Sequence, residues 1–141
     1  MRSGSRGCLI AGAACAITVA ILVVAIVEVL TPRDFSKESP QEVFEQLVCK
    51  PIPSSVRDIK ASGRLAFAGG GAWIEFTIDE VYRPALLAGG RFTERTEKHD
   101  NDPFKEDGGS LWYERKQEGM NEEYLYFQNG GKRAAFEMIH Y

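Results

Sequence analysis

An apolar stretch near the start constrains this chain more than any other feature. Residues 8–30 read CLIAGAACAITVAILVVAIVEVL, with a charge only at Glu28. About 20 apolar residues are enough to cross the roughly 30 Å hydrocarbon core of a bilayer as one helix, and a helix pairs its own backbone groups there. The sequence therefore predicts a transmembrane helix over residues 8–30. The candidate residues of this helix are Cys8, Gly12, Cys15, Ala16 and Val27. Gly12 and Ala16 form a small-xxx-small pair.

Two other interpretations of this stretch stay open. A cleaved secretory signal has a shorter apolar core, about 7–15 residues, and ends at a small-x-small site, whereas Val and Ile occupy the exit positions here. A lipoprotein signal ending at Cys15 would leave most of the apolar run after the cysteine. Arg2 and Arg6 precede the run, so the positive-inside rule favours a cytoplasmic tail over residues 1–7 and an extracytoplasmic carboxyl-terminal domain. The predicted location is the cell membrane, with the lipid bilayer as a partner.

The rest of the chain suffices for one small domain. Residues 31–38, TPRDFSKE, are expected to be a polar linker, and residues 39–141 a single soluble domain of about 100 residues. The formal net charge of −3 disfavours nucleic acid as a partner, because that function needs a basic footprint. Cys49 is the only cysteine after the apolar stretch, so this domain contains no internal disulfide.

Two short helices are predicted. The first begins with a Ser-x-x-Glu capping box at residues 39–42 and Pro40 at its first position. The second runs through residues 81–87 and closes at Gly89-Gly90. The side chains of the first helix that we expect to face the core are Val43, Phe44, Leu47 and Val48.

The strands are predicted from alternating apolar residues. Residues 59–67 and 72–78 alternate with a period of two around Gly69–Gly71 and should form a hairpin. Residues 93–110 are polar and predicted to be a long surface loop. Three more strands follow at 111–116, 123–128 and 132–141, the last two joined by Asn129-Gly130-Gly131.

These elements predict an α+β fold. The expected domain has a sheet of four or five mainly antiparallel strands, with both helices packed on one face, and it follows the amino-terminal transmembrane helix.

The sequence offers few residues for catalysis or metal binding. His99 and His140 are the only histidines, and no nucleophile motif accompanies Cys49. The acidic run at residues 99–107 lacks the spacing of a calcium loop and is typical of a solvated surface. We therefore predict no catalytic, cofactor-binding or metal-binding residues, and we lean towards a protein that is not an enzyme.

Aromatic residues are dense towards the end of the chain. They suggest a possible interaction surface formed by Trp112, Tyr113, Tyr124 and Tyr126. The alternative is that they form core and cross-strand pairs, which strands also favour.

The features that carry a resemblance are the run Ile52-Pro53-Ser54-Ser55-Val56, a strand ending near Ile78, a Leu-rich short helix, Trp112 and a terminal hairpin. In these features the chain resembles small membrane-anchored or lipidated bacterial domains of unknown function. The resemblance covers residues 40–141 and implies a bacterial cell-envelope location without an activity. The expected function is a single-pass, membrane-anchored, non-catalytic accessory domain that binds another envelope protein. A small ligand-binding or enzymatic domain, with a pocket between sheet and helices, is the alternative.

Overall fold

The computed structural model describes residues 17–24, 26–27, 31–66, 68–97, 100–116 and 121–141. The chain divides into two compact units, Met1–Pro32 and Arg33–Tyr141. In the first unit the described residues 17–24 and 26–27 are helical, with exposed apolar side chains.

The second unit is built on one seven-stranded antiparallel sheet. The strand order is β1-β2-β3-β7-β6-β5-β4, so the carboxyl-terminal strand β7 lies at the centre. The strands are β1 (Arg33–Asp34), β2 (Arg57–Ala66), β3 (Gly69–Thr77), β4 (Thr93–Arg95), β5 (Ser110–Lys116), β6 (Asn121–Gln128) and β7 (Arg133–His140).

Two short helices cover one face of this sheet. Helix α1 spans Pro40–Leu47 and helix α2 spans Arg83–Gly90, and three 3-10 turns lie at Phe35–Lys37, Glu80–Tyr82 and Lys105–Asp107. The helices share one hydrophobic core with the sheet, so this side is named the helix-covered face. Its fully buried side chains include Phe35, Val43, Phe44, Ile74, Leu86, Leu125, Phe127 and Phe136.

Local sequence explains the start of α1. Pro40 occupies the first position, where its missing N–H costs no intrahelical hydrogen bond. Val43, Phe44 and Val48 are buried, as predicted from their spacing. The predicted capping box does not form, because the Ser39 hydroxyl donates to Gln41 Oε1 at 3.2 Å and makes no hydrogen bond to the helix backbone.

The predicted fold class is wrong in its sheet. The chain contains both helices and strands, but the sheet has seven strands where four or five were expected. The two missed strands, β1 and β4, are only two and three residues long and carry no apolar alternation. A period-two pattern cannot reveal strands this short; only their pairing with β2 and β5 defines them.

The transmembrane helix in that prediction is also not found among the described residues. Within the described part of the chain, no helix is long and apolar enough to cross a membrane. Val27 is helical and exposed, whereas the predicted positions Cys8, Gly12, Cys15 and Ala16 lie outside the described residues.

Two segments that the sequence predicted to be a linker and a surface loop form part of the folded domain. Residues 33–37 form β1 and a 3-10 turn, and Phe35 is fully buried. The predicted loop at 93–110 contains β4 and a 3-10 turn, and its Phe104 is buried. In both segments a single phenylalanine within polar sequence enters a hydrophobic cluster, which composition alone did not indicate.

Candidate functional site

The sheet presents a second face, opposite the helices, that is rich in aromatic side chains. Trp112, Tyr124 and Tyr126 lie on it with Trp73, whereas Tyr113 packs against the core of the helix-covered face. The alternation of a strand sends neighbouring side chains to opposite faces, which separates Trp112 from Tyr113. We name the side that carries Trp73, Trp112, Tyr124 and Tyr126 the aromatic face.

The four rings form a continuous row across β3, β6 and β5. The ring centroids lie 6.5 Å apart for Trp73 and Tyr126, 6.4 Å for Tyr126 and Tyr124, and 6.0 Å for Tyr124 and Trp112. These distances and the tilted or edge-on ring planes are those of favourable aromatic pairs. Tyr126 is fully buried within the row, while the other three rings are partly exposed.

Two carboxylates on this face accept hydrogen bonds from tyrosines. Glu137 Oε2 accepts from the Tyr126 hydroxyl at 3.0 Å. Glu122 Oε2 accepts from the hydroxyls of Tyr124 and Tyr141 at 2.8 and 2.9 Å. Neither carboxylate has a lysine or arginine partner among the side chains that the structure describes. Glu122 and Glu137 therefore carry negative charge that tyrosine hydroxyls orient but do not neutralise.

The tyrosine hydroxyls respond to this negative charge. Burial and then the charge of Glu137 raise the pKa of Tyr126, and burial followed by the hydrogen bond to Glu122 raises the pKa of Tyr124. The hydrogen bond to Glu122 is the main cause of the raised pKa of Tyr141. All three hydroxyls stay protonated donors at neutral pH.

One part of the aromatic face is covered by the segment between β4 and β5. Phe104 is buried against Tyr126 and Ala135. Asp102 fixes this segment, since its carboxylate accepts from the backbone N–H of Phe104 at 2.8 Å and from the N–H of Ser110 at 3.0 Å. This cover lies over Ala135, so the exposed part of the face lies further along β7 at Glu137 and Ile139.

A shallow depression of about 300 Å³ lies in that exposed part. Trp73, Glu137 and Ile139 line it, and the glycines of β2 and β3 contribute backbone with no side chains. These glycines are required by close packing: a Cβ at Gly71 would lie 2.3 Å from Met138 O, and one at Gly70 would lie 2.1 Å from Arg64 O. The sequence Gly69-Gly70-Gly71, expected to be a turn, is thus the first part of β3.

The helix-covered face contains a buried ion pair with a structural role. Arg115 on β5 donates through Nε to Glu123 on β6, and both side chains are largely buried, 15% and 2% exposed. Its Nη1 also donates to the carbonyls of Val48 and Gly90 at 3.0 Å each. Arg115 thereby binds the carboxyl ends of both helices, where backbone carbonyls attract a cation.

No hydrogen bond joins Cys49 to His140, two of the residues first considered for catalysis, in the described part of the chain. Cys49 is half-buried, and burial raises the pKa of its thiol although Arg115 opposes this shift. The Nδ1 atom of His140 lies 2.6 Å from Asn121 Oδ1. His99 lies outside the described residues. No group of three or more potential metal ligands occurs among the residues that could be searched.

A polar cleft of about 290 Å³ lies elsewhere, near the bulge where β2 shifts register between Arg57 and Lys60. Its charges are of both signs and partly paired, as between Lys132 and Asp79 at 2.6 Å. The Thr77 hydroxyl donates to Asp58 Oδ2 at 3.0 Å. With no excess of either charge, this cleft indicates no ligand class.

Sequence reasoning missed two central residues of the aromatic face, Trp73 and Glu137. The alternation of residues 72–78 separated Trp73 from its apolar neighbours, which was a usable signal. Glu137 carried no such signal, because its position depends on which strands lie beside β7.

Compared with protein-family models, with curated proteins and with solved structures, the chain gives no significant match.

Proposed function

We propose that residues 33–141 form a non-catalytic interaction domain that binds a basic segment of a partner protein on the aromatic face. The observation that carries this proposal is the combination of a partly exposed aromatic row with two carboxylates, Glu122 and Glu137, that have no described cationic partner. Aromatic side chains are enriched at protein interfaces because they supply much contact area with little loss of conformational entropy.

The charge of this face selects the partner. Carboxylates attract lysine and arginine from a distance and align them at contact. The faces of tryptophan and tyrosine rings attract the same cations through their quadrupoles. A basic segment therefore complements both the carboxylates of Glu122 and Glu137 and the aromatic rings beside them.

The non-catalytic part of the proposal rests on the state of the reactive side chains. Burial raises the pKa of the Cys49 thiol, which donates to the Pro51 carbonyl, whereas His140 Nδ1 lies against Asn121 Oδ1. The partner bilayer, the envelope protein and the extracytoplasmic location stay predictions from the sequence.

The experiment is an NMR titration of the isotopically labelled full chain with hexalysine. We expect the backbone amide resonances of β3, β6 and β7 to shift in the exposed part of the aromatic face, with little change in α1 and α2. The affinity for hexalysine should fall as salt is added. Hexaglutamate at the same concentrations should produce no such shifts. Shifts confined to the helices, or equal binding of the two peptides, would contradict the proposal.

A matched pair of variants separates this face from the net charge of the chain. Glu75→Gln/Glu122→Gln removes two exposed carboxylates from the aromatic face. Glu42→Gln/Glu80→Gln removes two exposed carboxylates elsewhere. Hexalysine affinity should fall about fivefold in the first variant and change less than twofold in the second, given about 0.5 kcal/mol for each exposed charge contact.

A further inference from the structure

We infer that Glu137, between Trp73 and Tyr124, forms a subsite for the terminal cation of a single lysine or arginine side chain. This inference rests on the proposed function and specifies its central contact. It identifies one position on the aromatic face where a cation is bound, instead of attraction spread over the whole face.

The strand register brings these three side chains together. Glu137 is the direct cross-strand partner of Trp73 on β3 and of Tyr124 on β6. Side chains directly opposite one another in antiparallel strands have Cβ atoms about 4.5–5.5 Å apart. The carboxylate of Glu137 therefore lies between two aromatic rings, one on each neighbouring strand.

The hydrogen bonds around Glu137 leave one oxygen available. Oε2 accepts from the Tyr126 hydroxyl, while Oε1 accepts no hydrogen bond from the residues that the structure describes. Tyr126 is fully buried, so its hydroxyl fixes the carboxylate from below. The Trp73 indole is also oriented, because its Nε1 donates to Glu75 Oε1 at 3.2 Å.

The described neighbours of Glu137 on this face supply no internal cation to it. The nearest positions on the same face, directly or diagonally across and along β7, are Gly71, Trp73, Glu75, Glu122, Tyr124, Tyr126, Ala135 and Ile139. None of these is lysine or arginine. Lys116 pairs in register with Glu122, one strand further from Glu137, so the inference rests on Glu137 and not on Glu122.

The adjacent depression gives a long side chain room to approach. The depression has a volume of about 300 Å³ and lies beside Trp73 and Glu137. It is lined by glycine backbone and by the apolar side chain of Ile139. The aliphatic stem of lysine or arginine packs on apolar surface while its charged end reaches a polar partner. Here the stem would contact Ile139 and the glycine backbone, and the cation would reach Glu137 Oε1.

The test uses two hexapeptides, Gly-Gly-Lys-Gly-Gly-Gly and the same peptide with arginine, added to the full chain. A third peptide with Nε-acetylated lysine has nearly the same shape without the charge. The chain has two tryptophans, so two indole N–H resonances report, and Trp73→Phe identifies the one from Trp73. We expect the charged peptides to shift the Trp73 indole resonance and the acetylated peptide to leave it unchanged.

Variants then locate the contact. Glu137→Gln keeps the shape and an acceptor for Tyr126 but removes the charge, and should weaken binding of the charged peptides about fivefold. Trp73→Leu should weaken it about threefold, as expected for one cation–π contact. Glu42→Gln is the control and should leave binding within twofold. The amide spectrum of each variant verifies that it is folded.

The outcomes separate this inference from the proposed function. Binding on the aromatic face that survives Glu137→Gln unchanged, with no shift of the Trp73 indole, would overturn the subsite while leaving the interaction surface in place. Absence of shifts anywhere on the aromatic face, with hexalysine as well, would overturn both. A preference for the lysine or the arginine peptide would decide which cation the subsite favours.

Discussion

Glu122 and Glu123 are neighbours on one strand, yet their environments are opposite. Glu123 points to the helix-covered face, is 2% exposed and pairs with Arg115. Glu122 points to the aromatic face, is exposed and accepts only tyrosine hydroxyls among the described groups. The difference teaches that the two faces use carboxylates for different purposes: one neutralises a buried cation that binds both helices, and the other leaves charge available to a partner.

The same contrast holds for the cations. Arg115 lies over the rings of Phe92 and Phe136, 4.7 and 5.9 Å from their centroids, inside the domain. On the aromatic face, Trp73 and Tyr124 flank a carboxylate and no described cation of the chain occupies the place between them. On the helix-covered face, the cation, the rings and the carboxylate all belong to the domain. On the aromatic face, the domain supplies the rings and the carboxylate, and a partner would supply the cation.

Loss of the buried cation should produce the largest effect. Arg115→Met removes the guanidinium that neutralises the buried Glu123 carboxylate, together with the donors to the carbonyls of Val48 and Gly90. We expect the free energy of unfolding to fall by about 3–5 kcal/mol, measured by urea unfolding.

The control for this prediction is Arg95→Met, because Arg95 pairs with Glu114 at an exposed edge strand. That change should cost less than about 1 kcal/mol. The double variant Arg115→Met/Glu123→Met should recover part of the loss, since the buried carboxylate is removed together with its cation. Equal effects of Arg115→Met and Arg95→Met would show that the buried pair has no special role.

The second prediction concerns alkaline pH. The raised pKa of Tyr126 means that the unfolded chain ionises first, near pH 10. The stabilising contribution is therefore complete below about pH 10 and is lost as pH rises above it, by about 1.4 kcal/mol per pH unit for one group.

Tyr126→Phe isolates this contribution. Between pH 10 and 11 the free energy of unfolding of Tyr126→Phe should fall less steeply than that of the wild type, by about 1.4 kcal/mol per pH unit. Between pH 7 and 9 the free energies of unfolding of the two proteins should change with pH in parallel. Identical slopes above pH 10 would mean that Tyr126 ionises as easily in the folded state as in the unfolded state. Unfolding in urea, repeated over this pH range, measures both slopes.

The smallest effect on stability is expected at Glu122. Glu122→Gln should change the free energy of unfolding by less than about 0.5 kcal/mol, as for other exposed positions. Its effect should appear in hexalysine binding. A loss of stability comparable to that of Arg115→Met would erase the distinction between the two faces.

Sequence patterns predicted the elements that carry a strong local signal. The helix at Pro40–Leu47, the hairpin of β2 and β3, and the β6–β7 connection at Asn129-Gly130 are confirmed by the structure. Each depends on neighbours within a few residues, through apolar spacing or turn chemistry. The short edge strands β1 and β4 have no such signal and were missed.

Which side chains share a face within a strand can be read from the sequence alone, because the two-residue alternation is a local property of the backbone. That alternation places Trp112 and Tyr113 on opposite faces, although the predicted interaction surface grouped them, and it separates Trp73 from the apolar residues of β3. Only the tertiary structure decided which strands are neighbours. Trp73 and Glu137 are 64 positions apart, and Arg115 binds helix ends at Val48 and Gly90, so these contacts exist only because β7 inserts between β3 and β6 and both helices fold onto one face.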